Sequence, residues 1–100
     1  MTNRSSFKFT VSYDANSDVL YVTGRTEPAA RGVEDSHGIV WRYSAGGDVI
    51  SATIMDFHDI WASQPDALAM EIAKRFDIPR PQAQVVVDHA LEEERPRWLG

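Results

Sequence analysis

Hydrophobic and polar residues alternate at the start of the chain: Phe7, Phe9, Val11 and Tyr13 stand between Lys8, Thr10 and Ser12. A period of two with one apolar side predicts a strand with one buried face. Asp14-Ala15-Asn16-Ser17-Asp18 follows, a run of turn formers whose side chains bond nearby amides. The β-branched and aromatic run Val19–Thr23 then completes a hairpin. Residues 25–36 hold Pro28, Gly32 and five charged residues and read as a connection, with a short extended piece near Arg31–Glu34. Ile39–Ser44 is the third strand, with Ile39, Trp41 and Tyr43 on one face. Ala45-Gly46-Gly47-Asp48 marks a turn, and Val49–Met55 supplies the fourth strand. Four strands joined in succession predict an antiparallel meander.

Beyond residue 56 the period lengthens. Pro65 occupies a first helical position, with Ser63 or Gln64 as cap and Asp66 in the first turn. Leu68, Ile72 and Phe76, with Ala69 and Ala73 beside them, make one apolar stripe, and Glu71 and Arg75 form an i,i+4 pair on the exposed side. Pro79 and Pro81 end this helix and open another, in which Ala83, Val86, Val87, Ala90 and Leu91 recur at helical spacing. Val85–Val87 also suits a strand; the alanines and Glu92–Glu94 favour helix. Trp61 is expected in the core at the junction. The expected fold class is α+β: a four-stranded antiparallel β-meander (1–56), then two or three α-helices (57–100) packed on one face, in a single domain 1–100.

Composition narrows the chemistry. One hundred residues, 43% hydrophobic and 25% charged, suit one domain. With no cysteine, disulfides and thiolate zinc sites are excluded. No apolar run approaches the roughly 18–20 residues of a membrane span, and the start does not read as a signal peptide, so a cytoplasmic chain is expected. The net charge of −5 is uneven: five basic against six acidic residues in 1–50, and five against nine in 51–100. Such a balance disfavours nucleic acid and anionic membranes as partners.

Tyr13-Asp14 followed by Asp18-Val19-Leu20-Tyr21 resembles the opening signature of a small bacterial family, the domain of unknown function 2283. The likeness runs on through Gly38-Ile39-Val40, Tyr43, the Gly47 turn and Val49–Ile54 to Asp56, covering roughly residues 7–56. The chain departs from it at Arg42 and Ser44, where relatives carry acidic residues, and at Ser51-Ala52-Thr53-Ile54, where they have glycine-isoleucine-glutamate. The resemblance implies no activity; it implies a partner-binding, antitoxin-like role beside a small ribonuclease-fold toxin. Physically, Tyr13, Asp14, Asp18, Leu20 and Tyr21 read as structural. Asp14 and Asp18 bracket the turn and accept amide bonds, and Tyr13 packs against Tyr21 across the strands.

Other constellations are thin. Asp14-x-Asn16-x-Asp18 imitates a calcium loop, but Val19 and Arg25 stand where glycine and glutamate are needed. Asp56 and His58 share a face of an extended segment and could offer two metal ligands, with more required from His37, Asp88 or His89. The plainer reading is that Asp56 or Asp59 caps a following helical turn. No serine sits in a strained glycine-flanked turn and no phosphate loop appears, so no catalytic residue and no cofactor are assigned. The helices 66–76 and 81–94 invite a helix-turn-helix reading through Arg80, Gln82 and Gln84, which Asp88 and Glu92–Glu94 oppose by repelling phosphate. The tail residues Arg97, Trp98 and Leu99 are of types suited to an interface, and Glu92, Glu93 and Glu94 suit a basic surface. The expected function is a non-catalytic protein-interaction module, a homodimer with a small basic protein partner. The alternatives are a DNA-binding regulator and a metal protein or enzyme centred on Asp56 and His58.

Overall fold

The computed structural model describes residues 9–94. Strands β1 (Thr10–Asp14), β2 (Val19–Thr23), β3 (Arg31–Glu34), β4 (Ile39–Tyr43) and β5 (Val49–Met55) precede a π-helical turn (Phe57–Trp61), α1 (Pro65–Phe76) and α2 (Arg80–Glu94). The architecture is α+β, an antiparallel sheet with two main helices.

The four-stranded meander needs correction. Among the described residues the sheet has five strands, ordered β1-β2-β5-β4-β3, so the last of them lies in the middle. The short extended piece expected near Arg31–Glu34 is there, and the cause is that it joins the sheet as a strand of its own. Arg31–Glu34 pairs with β4 from Arg31↔Tyr43 to Glu34↔Val40, which occupies one side of β4. β5 takes the other side and leaves its free edge for β2, in register from Val19↔Met55 to Thr23↔Ser51. All four β3 residues are exposed, so no buried face imposes an alternation by which the strand could be read.

Leu20, Val22, Ile39, Trp41, Ala52 and Ile54 line the helix-facing side of the sheet. Leu68, Ala69 and Ile72 of α1 and Ala83, Val86, Val87 and Ala90 of α2 pack against them, with Phe57 and Trp61 from the π turn. Residues 85–87 are helical. Small alanines let the helices approach each other and the sheet closely. Phe9 meets Phe76 edge-to-face at 5.0 Å between centroids, where Gly24 leaves room that a Cβ would fill. On the opposite face Tyr21 and Met55 are exposed, and Arg42 donates to the Thr53 hydroxyl at 2.6 Å.

Candidate functional site

Two turns meet at one end of the sheet. Asp14 organises its own turn by accepting the Asn16 amide (3.0 Å) and the Ser17 hydroxyl (3.1 Å). Asp18 is left-handed, with φ 57°, and its carboxylate turns to another part of the chain. Its Oδ1 accepts the His58 amide and the Tyr13 hydroxyl, each at 2.7 Å, and Oδ2 accepts the Asp59 amide at 3.3 Å. The Asp18 carbonyl takes the Phe57 amide at 3.1 Å. Asp18 therefore caps the π turn, meeting amides that a helical start leaves without partners.

The cap expected from Asp56 or Asp59 thus comes from forty residues away. Asp56 precedes the π turn in the left-handed region, φ 53°, and its side chain makes no cap bond. Partial burial pushes the Asp18 carboxyl upward, but the His58 amide, the Tyr13 hydroxyl and the Asp59 amide outweigh it and hold it below the usual carboxylate range. Burial, then the bond to Asp18 and its charge, push the Tyr13 hydroxyl up. The expected Tyr13–Tyr21 contact is absent: Tyr13 pairs with Leu20 and Tyr21 with Ser12, which places the two rings on opposite faces.

His58 does not join Asp56 as a ligand pair either. Its Nδ1 meets Glu94 Oε2 at the end of α2. Glu94 is thereby committed within the molecule, its side chain only 19% exposed, whereas Glu92 and Glu93 remain exposed. Oxygens of Asp18, Asp56 and Asp59 do gather within 4.8 Å of one another. A cation there would compete with the three donors already on Asp18. Neither His37 nor His89 belongs to this group: His37 stands against Trp61, and His89 lies 4.0 Å from Glu92. Arg97, Trp98 and Leu99 lie outside the described residues.

The bond to Glu94 and its charge raise the His58 imidazole above its ordinary 6.5. A raised folded-state value means that the contact contributes fully below the unfolded value and is lost as pH rises through the folded one. The imidazole proton resonances should accordingly titrate at a higher pH in the native chain than in Glu94→Gln. Coincident midpoints would remove Glu94 as the cause.

No family model, curated protein or solved structure matches the chain. The likeness of residues 7–56 to domain of unknown function 2283 rests on the quoted residues alone.

A second cluster went unread in the sequence. Asp35 closes the β3–β4 turn: its Oδ1 accepts the His37 (2.8 Å) and Ile39 (3.0 Å) amides, and its Oδ2 accepts the buried Trp41 indole N–H at 2.9 Å. Burial raises the Asp35 carboxyl, but these bonds, led by that of Trp41, bring it below the usual range. Arg75 reaches the same group. Its guanidinium stands over the Trp41 ring (5.1 Å to the centroid), 4.0 Å from Asp35 Oδ2 and 3.4 Å from the Tyr43 hydroxyl. The expected Glu71–Arg75 pair is therefore not formed, because Arg75 has a better-desolvated partner set at its other side. The signal in the sequence is Asp35-Ser36-His37-Gly38, an aspartate two residues before an amide it can accept, closed by a glycine at φ 82°.

Between this turn, the π turn and α1 lies a cleft of about 330 Å³, lined by Ser36, His37, Ile60, Trp61, Gln64, Ala67 and Glu71. Trp61 is buried as expected, and its indole N–H meets no acceptor among the described residues.

Proposed function

We propose that the chain is a non-catalytic protein-interaction module that receives a basic protein partner on the acidic corner where the β1–β2 turn, the π turn and the end of α2 converge. The observation that carries the reading is the gathering of Asp18, Asp56 and Asp59 within 4.8 Å of one another beside His58, whose ring is engaged by Glu94. Exposed Asp56, Asp59, Glu92 and Glu93 extend the same sign outward. Asp18 and Glu94 hold the corner together, so the exposed carboxylates are the ones free to meet a cation. Complementary charge accelerates such an encounter and sets its orientation.

In the form that the resemblance implies, the partner is a small ribonuclease-fold toxin, and the acidic corner covers its basic surface. The homodimer belongs to the same reading. Nothing among the described residues pairs with the outer edges of β1 and β3, and β3 offers a second copy an exposed strand. Reading α2 as a DNA-recognition helix gains little, since its exposed surface carries Asp88, Glu92 and Glu93 and Gln84 is turned onto Asp88 at 3.2 Å.

Co-purification with the product of the adjacent gene, followed by stopped-flow association, tests this. A 1:1 complex is expected, and the triple variant Asp59→Lys/Glu92→Lys/Glu93→Lys should associate roughly tenfold or more slowly at low salt. Failure of a small basic protein to co-elute, or an unchanged rate in that variant, would overturn the proposal.

A further inference from the structure

The cleft beside α1 shares the π turn with the acidic corner but none of its carboxylates, and its lining is selective in one respect. Among the described residues no lysine or arginine borders it, while Glu71 contributes a half-buried carboxylate. Among the described residues the Glu71 carboxylate has no hydrogen-bond donor and no ion-pair partner. Of the two cations a helical turn away, Arg75 is held by Asp35, Trp41 and Tyr43, and Lys74 makes no ion pair with Glu71.

From this geometry we infer that the cleft is a binding site for a small organic cation, an alkylammonium group on a short aliphatic stem. Glu71 supplies the counter-charge. Gln64 donates its amide nitrogen to the Ile60 carbonyl at 2.8 Å, which fixes the side chain and leaves its amide oxygen as an acceptor. The Ser36 hydroxyl adds another. Ile60, Ala67 and the Trp61–His37 pair, with ring centroids 6.0 Å apart, offer apolar and π surface to the stem. The volume of about 330 Å³ matches the lower end of small-ligand sites, about 300–1,000 Å³.

The start of α1 opposes this choice, since a helix N-terminus carries about half a positive charge. A whole negative charge at Glu71 exceeds it, and Pro65 removes one of the amides that would present it. The Trp61 indole N–H, the other donor without an acceptor here, is itself shielded from solvent, so the Glu71 carboxylate decides the sign of the guest in favour of the cation.

The same ammonium chemistry can come from a free amine or from a lysine side chain of a peptide. Titration of the full chain with n-butylammonium and with N-acetyl-lysine-N-methylamide, followed by the ¹H–¹⁵N resonances of the Trp61 indole and the Gln64 amide, separates the two sources. Saturable shifts at millimolar ligand are expected for at least one, and the tighter of the pair identifies the source. The side-chain-acetylated, neutral form of the lysine compound should give no saturable shift. Glu71→Gln, an isosteric change at a partly exposed helix position, should keep the native melting temperature and weaken binding by about tenfold or more. Absence of saturation with both amines would overturn the site. So would equal binding of the neutral compound, or undiminished binding in Glu71→Gln.

Discussion

Replacing Asp18 with alanine should cost about 2–4 kcal/mol and lower the melting temperature by roughly 10–25 °C. Three donors lose one carboxylate: the His58 and Asp59 amides at the start of the π turn and the Tyr13 hydroxyl on β1. Bonds to a charged acceptor are worth about 1.5–3 kcal/mol each but share one partner here, so they do not sum. Alanine also fits poorly at φ 57°, whereas asparagine tolerates it and keeps one acceptor. Asp18→Asn should therefore lose less, and Tyr13→Phe, which removes one donor only, about 1 kcal/mol.

The pH dependence gives a second readout of the same residue. Because the folded carboxyl of Asp18 is depressed, its contribution is complete above the ordinary carboxylate range and is lost as pH falls through the lowered value. The melting curves of the native chain and Asp18→Ala should converge on acidification. Curves that stay parallel would show that the loss comes from backbone strain and not from the carboxylate.

Asp35→Ala should have an effect of similar size, about 2–4 kcal/mol, with a different distribution. It orphans the indole N–H of Trp41, a ring with no solvent exposure, and leaves two turn amides and Arg75 without their acceptor. β3 is held to the sheet only through β4, and this turn sets that register. Amide exchange should accelerate in Arg31–Glu34 well before it does in Val19–Thr23 or Val49–Met55. Uniform acceleration across all strands would mean that the turn has no local role. In Asp18→Ala the early loss should appear instead at residues 57–61.

The contrast between these residues explains what was legible in the sequence. Leu20, Val22, Ala52, Ile54 and the stripe Leu68, Ala69 and Ile72 announce themselves because burial imposes a period, and period is visible in a string of letters. The helices and four strands were readable for that reason. β3 lacks a buried face, so Arg31–Glu34 read only as a short extended piece within a connection, and leaving it out of the sheet was enough to give the wrong strand order. The site was harder. Asp56 and His58 looked like a pair because they are neighbours in sequence, but each is turned elsewhere, one to a left-handed corner and the other to Glu94 thirty-six residues on. Asp18 was recognised as structural, yet its actual donors at residues 58 and 59 lie far along the chain. Glu71 and Arg75 have favourable spacing, and the aromatic cluster around Trp41 takes the arginine away. Local rules locate a charged group; only the assembled fold decides which partner it meets.

The central position of β5 has a temporal consequence. Of the five described strands it is the last to leave the ribosome, and the other four are already made when it appears. Until then β1–β2 and β3–β4 are two separate hairpins, each short and each with an apolar side uncovered. Neither can reach a stable sheet by itself. Residues 49–55 join them from both sides at once, through pairings up to thirty-six residues apart, Val19↔Met55 being the farthest. The sheet therefore forms as one late event whose rate is set by long-range closure, and a nascent chain halted before Met55 has two loose hairpins and no domain.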